Sequence, residues 1–220
     1  MTPTQKYSEE KDELKNARMN RILKAAFDLF SEHGIDTIAM TDIAKKAEIG
    51  VASLYRYYET KDMVAIKTAI WAWEAQKKNL LPELEKESFT KQNGIEQIDS
   101  ICRMFGNLIE NQPAFLSFIY FFDSYIVRQK IEREKLAEYE EIIKTVQSLV
   151  AAAIHKGVQD GSINSKYKDS EDILYFTLMH TMFSTSQKIS LSGKMLNMDS
   201  QASPKEQLEM LTELLIQGLK

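Results

Sequence analysis

Ile22, Leu23, Ala26, Phe27, Leu29 and Phe30 recur at three- and four-residue intervals, which predicts one apolar face of a first helix. Gly34 stands where a left-handed cap ends such a helix. Ahead of that face, residues 1–15 are polar and charged with no apolar period, and they predict a flexible arm. Ile43, Ala44 and Ala47 mark a short second helix. Val51 to Tyr58 reads as a short third, with Leu54 and Tyr58 turned inward. Thr60 suits the N-cap of the next helix and Asp62 its first turn. That helix is expected to run through Trp71 and Trp73 until Pro82 interrupts it.

Helical spacing continues to the end of the chain. Ile98, Ile101, Phe105, Leu108 and Ile109 share a stripe. Asn111-Gln112-Pro113 is a break, and the helix Phe115–Val127 is so aromatic that most of its sides must be buried. Ile142, Val146, Leu149 and Ala153 line a long helix ending near Gly157 to Gly161. Ile173–Leu191 is another helix, and residues 192–204 read as a polar loop. Leu208, Leu211, Leu214, Leu215 and Leu219 mark an amphipathic last helix. No strand alternation of useful length and no internal repeat is present. The expected fold is all-α: a three-helix helix-turn-helix domain over 16–62 and a larger helical domain over 63–220.

Composition sharpens this picture in a few places. Only 8 Gly and 4 Pro in 220 residues suit long helices rather than many tight turns. Hydrophobic residues at 44% and charged residues at 27% are those of a soluble globular protein. The most apolar run, Ala114–Phe122, is far below the ~18 residues of a membrane-spanning helix. The charged N-terminus does not read as a secretory signal, and the single Cys102 fits a reducing compartment, so a cytoplasmic protein is expected. The net charge is −4, yet residues 1–70 balance 11 basic against 11 acidic side chains, so the deficit lies wholly in the second part. Phosphate binding depends on the charge of one face rather than on the total.

The chemistry points to the short helices. Two helices of about two turns bury too little alone and need the preceding helix behind them, which is the arrangement of helix-turn-helix DNA readers. Ala44 is small where the two approach, Ile49 can plug the turn, and Leu54 anchors the third helix. With Leu54 inward, Ala52, Ser53, Tyr55 and Arg56 fall on outer faces. Arg56 is a bidentate donor for guanine edges or phosphate, Tyr55 and Tyr57 offer hydroxyls, and Lys61 a point charge.

The run Gly34-Ile35, then Thr41-Asp42-Ile43-Ala44-Lys45-Lys46-Ala47, Ile49, Ser53-Leu54-Tyr55-Arg56-Tyr57-Tyr58 and Lys61-Asp62 resembles the DNA-binding domain of the tetracycline-repressor (TetR) family, over roughly Arg18–Ala69. The resemblance implies a homodimer, a palindromic double-stranded DNA operator and an effector pocket in the C-terminal helices. It implies that Val51, Ala52, Ser53, Tyr55 and Arg56 enter the major groove and that Thr41, Tyr57 and Lys61 hold phosphates. The helices near Ile173–Leu191 and Leu208–Leu219 would build a four-helix dimer interface. The sequence departs from the family where Glu48 replaces a turn glycine, Gly50 a small polar cap, and Ala39 a Ser or Thr cap, leaving Thr41 as a substitute cap.

Met104, Phe105, Phe118, Phe121, Phe122, Tyr125, Met179, His180 and Phe183 suit a pocket for a small, largely apolar ligand, although core packing accounts for each singly. His33, His155, His180 and Cys102 lack metal-ligand spacing, so no metal and no cofactor are expected. The charged run Glu132–Glu141 reads as a solvated helix face. With no phosphate loop or nucleophile elbow, the chain reads as a regulator rather than an enzyme. Two alternatives stay open: a constitutive helix-turn-helix DNA binder without effector, and an all-α ligand-binding protein that has lost DNA binding.

Overall fold

Helix formation begins earlier than the apolar pattern alone indicates. A computed structural model describes residues 3–192 and 195–220, and its first helix, α1, spans Pro3–His33. The arm expected over 1–15 is therefore corrected to helix from Pro3 onward. Glu9 to Lys15 has no apolar face, but Glu, Lys and Leu are strong helix formers that extend a helix nucleated by its buried second half. Gly34 ends α1 as expected, with φ +78° and its N–H bonded to the Phe30 carbonyl at 2.9 Å.

Helices α2 (Met40–Lys46), α3 (Val51–Tyr58) and α4 (Lys61–Leu84) follow. Ala39 is the N-cap of α2, and the Asp42 carboxylate accepts the Ala39 N–H at 2.9 Å. Thr41 falls inside α2, and Asp42 closes back on the N-cap N–H. Thr60 caps α4, its hydroxyl accepting the Met63 N–H at 3.2 Å. Pro82 lies inside the last turn of α4 instead of ending it. The chain continues with α5 (Glu87–Thr90), α6 (Gly94–Asn111), α7 (Pro113–Gln129), α8 (Ala137–Asp160), α9 (Glu171–Ser192) and α10 (Pro204–Leu219). Short 3-10 turns at Arg133–Leu136, Ser165–Tyr167 and Asn197–Gln201 join them, so the expected 192–204 loop contains a 3-10 turn, with residues 193 and 194 outside the described residues, and the exposed Glu132–Glu141 run is split between a turn and α8. No strand occurs among the described residues.

The chain divides into two compact units: Met1–Ala72 with Phe121–Tyr139, and Trp73–Tyr120 with Glu140–Lys220. This differs from the contiguous division at residue 62 expected from the sequence. In the first unit, α2 packs on α1 and α3 on α2. Ile22, Phe30, Ile35, Ile43, Leu54 and Ile66 are fully buried there. Each such side chain contributes about 1.5–3 kcal/mol, enough in sum to hold helices as short as α2 and α3.

In the second unit α6 packs against α10 and α9. Ile98, Ile101, Phe105, Ile154, Leu178 and Met182 are central to its core. α6 meets α8 with almost no space between backbones: a Cβ on Gly94 would lie 2.0 Å from the Gly157 nitrogen. The Gly94 N–H bonds the Asp160 carboxylate at 2.9 Å, and the Ile95 N–H bonds the Ser162 hydroxyl at 3.1 Å, so residues at and just past the end of α8 cap the start of α6. No helix among the described residues is long and apolar enough to cross a membrane.

Candidate nucleic-acid interface and ligand cavity

The α2–α3 turn keeps the geometry of a left-handed helix stop without a glycine. Glu48 has φ +53°. The Ile49 N–H reaches the Ala44 carbonyl at 3.0 Å and the Glu48 N–H that of Lys45 at 3.2 Å, the paired bonds that satisfy a helix C-terminus. Gly50 then caps α3 in extended conformation without a side-chain bond. Leu54 is fully buried and Tyr58 nearly so, and burial with the neighbouring Tyr57 pushes the Tyr58 hydroxyl up to about 12. Those two anchors fix the rotation of α3. Val51, Ala52, Tyr55 and Arg56 consequently share its exposed face, with Ser53 and Tyr57 half-buried at the edges. The Arg56 guanidinium lies 5.9 Å from the Tyr57 ring centroid. Thr41 is exposed at the start of α2.

Lys61 is placed differently from the expected phosphate ligand. Its ammonium donates to the carbonyls of Ile35 (3.0 Å), Asp36 (3.2 Å) and Ile38 (3.1 Å). All three of its N–H donors are spent closing the α1–α2 turn, instead of being presented to a phosphate. The same turn is braced by α7. The Tyr125 hydroxyl donates to Asp62 at 2.5 Å, Arg128 pairs with Asp36, and the Phe121 ring lies 3.4 Å from the Cβ position of Gly34. Burial, then the Asp62 carboxylate, raises the Tyr125 hydroxyl well above the ordinary phenol range.

Residues 22–66 match the family described as bacterial regulatory proteins, tetR family. Over this segment the chain resembles the helix-turn-helix region of tetR-family regulators, and the exposed face of α3 lies within the matched residues. No curated protein matches the sequence. Among solved structures, the chain is similar to FadR of Bacillus subtilis in complex with stearoyl-CoA, at 17% identity over 91% of this chain and 98% of that one, with a TM-score of 0.69. It is similar to FadR of Bacillus halodurans at 15% identity over 92% and 96%, TM-score 0.68. AibR in complex with isovaleryl coenzyme A and operator DNA matches at 15% identity over 90% and 98%, TM-score 0.64. At these identities the likeness is one of fold.

The second unit holds a cavity of about 220 Å³ walled by α4, α6, α7, α8 and α9. Trp73 meets Phe115 edge-on at 5.0 Å, and Phe105 meets Phe183 edge-on at 4.9 Å. Met104, Phe105, Met179 and Phe183 line it, as the sequence suggests. The other five expected lining residues are elsewhere. Phe118 is fully buried in packing and His180 is exposed beside Phe176, at 5.6 Å between rings. Phe121, Phe122 and Tyr125 belong to the first unit, where Phe122 packs on Tyr139 at 5.0 Å. The helical turn of about 100° per residue sends successive aromatics of α7 and α9 to different sides, so composition alone misplaces them.

Sequence reasoning missed the rest of the wall, Trp73, Leu80 and Phe115 among it, and a polar mouth. Gln76 and Asn79 on α4 and Asn107 and Asn111 on α6 recur at helical spacing, a signal present in the sequence but masked by the neighbouring aromatics. Gln76 donates to Gln112 across that mouth. Among the described residues no cluster of three or more His, Cys, Asp or Glu could hold a metal.

Proposed function

We propose that the chain is a ligand-responsive transcriptional repressor that binds a palindromic operator as a homodimer. The outward face of α3 carries this reading: Val51, Ala52, Tyr55 and Arg56 are exposed together because Leu54 and Tyr58 are buried. A helix so presented suits the major groove, with Ser53 at its edge and Thr41 and Tyr57 toward phosphates. Ile173 and Phe176 on α9 and Met210 and Leu214 on α10 are 47–69% exposed, and Ile173 and Leu214 line one shallow groove. Such an apolar surface supports pairing of these helices with those of a second copy.

The cavity favours an effector over constitutive binding. The FadR and AibR structures, crystallised with acyl-CoA ligands, support a small-molecule site in this fold. An effector that prefers dimers with the wrong separation of α3 helices lowers operator affinity, and operator must lower effector affinity by the same factor. One helix, α4, carries both Lys61 and the cavity's Trp73. The protein acts in the cytoplasm, and its chemistry is recognition rather than catalysis.

Footprinting the DNA upstream of the protein's own gene tests the reading. One protected palindrome is expected, and Arg56→Ala should weaken protection about tenfold or more, the loss of one bidentate contact. Equal protection by the variant would contradict the assignment of α3.

A further inference from the structure

We infer that the cavity selects an uncharged ligand of about nine or ten non-hydrogen atoms, with an apolar body and one hydrogen-bonding end, and rejects carboxylates and coenzyme A thioesters. This deepens the ligand-responsive reading and rests on it.

Size comes first. A cavity of ~150 Å³ holds one benzene ring, so the 220 Å³ here holds a body about half as large again. The interior is apolar: Trp73, Ile101, Phe105, Phe115 and Met179 are all buried. These walls offer a ligand dispersion contacts and nothing to hold a charge.

The mouth decides the polar end. Its lining comprises five carboxamides (Gln76, Asn79, Asn107, Asn111 and Gln112) and one carboxylate, Glu83. Asn79, Asn107 and Asn111 are exposed and Gln76 and Gln112 half-buried, so the amides ring the opening. Glu83 already pairs with Lys86. No Lys, Arg or His lines the cavity among the described residues. A carboxamide both donates and accepts, so it satisfies an alcohol, amide or ester equally well. It does not neutralise an anion. A carboxylate drawn into this mouth loses hydration without gaining a cation, and the phosphates of coenzyme A meet the same lack.

Trp73 is a built-in reporter. The chain has two tryptophans, and Trp71 packs on Phe27 in the first unit, 5.7 Å between rings. Full-length protein carrying Trp71→Phe therefore emits from the cavity wall alone. Titration at about pH 8, where a fatty carboxyl is ionised, would use 1-octanol, octanamide, octanoate and octanoyl-CoA. Octanol and octanamide are expected to shift Trp73 emission saturably, at least about tenfold more tightly than octanoate or octanoyl-CoA. Asn79→Lys and Asn111→Lys, at exposed positions, should each raise octanoate affinity about tenfold while leaving octanol within about twofold.

Tighter binding of octanoate or octanoyl-CoA than of octanol overturns the inference. So does the absence of binding by any of the four, or an unchanged octanoate affinity in both lysine variants. The emission is read without DNA. Intact operator binding with failed octanol binding therefore sinks this inference alone, and lost operator binding with intact selectivity sinks only the regulator reading.

Discussion

Glu48 holds φ at +53° in the turn between α2 and α3, in a conformation that costs a side-chain-bearing residue about 1–2 kcal/mol. Glu48→Gly removes that strain but adds freedom to the unfolded chain. The net stabilisation is expected to be about 0.5–1 kcal/mol, read as a raised urea midpoint at unchanged slope. An unchanged or lowered midpoint would mean the turn is not strained. The sequence marked this position by its missing glycine, and it marked the outward face of α3 once Leu54 was taken as buried. It did not reveal Lys61. The carbonyls that engage its ammonium belong to a turn more than twenty residues earlier, and nothing local in the sequence distinguishes such an anchor from a surface cation. Cys102 is similar: burial, then Asp99, pushes its thiol up to about 12, an inertness no spacing encodes.

At the scale of elements, helix existence was readable throughout because three- and four-residue periods survive in nearly every segment. The ends were less so. α1 extends over residues without an apolar face, and α4 passes through Pro82. The crossing of α6 and α8 was invisible, since Gly94 and Gly157 look like ordinary helix-end glycines until their backbones are seen to touch. Asp160 holds that crossing together. The Ser162 hydroxyl first, and the Ser162 and Gly94 N–H groups after it, keep its carboxyl below the usual carboxylate range. A folded-state value below the unfolded one stabilises above the unfolded value and ceases to do so as pH falls through the folded one. Asp160→Asn should therefore be less stable than the parent at neutral pH, with the gap closing below about pH 4. A gap independent of pH in urea titrations would show that the carboxylate charge plays no part.

For the whole molecule, the expected division into 16–62 and 63–220 differs from the two compact units of the fold. Phe121–Tyr139 joins the first unit, and tertiary packing of that sort has no local signature. The same fact accounts for three of the five expected cavity residues that lie elsewhere, Phe121, Phe122 and Tyr125. Aromatic density announced a buried region, but which residues face an opening is set by the rotation of each helix. One chain carries a helix-turn-helix face, an apolar surface on α9 and α10, and an amide-rimmed cavity.

The chain is proposed to read one DNA sequence as a dimer. The direct measurement is fluorescence anisotropy with duplex from upstream of the protein's own gene, against a scrambled duplex, over a salt series. Tight binding to a single palindromic segment is expected, with two or more chains per duplex and an affinity that falls linearly on logarithmic axes as salt rises. Absence of duplex binding even at low salt would contradict it.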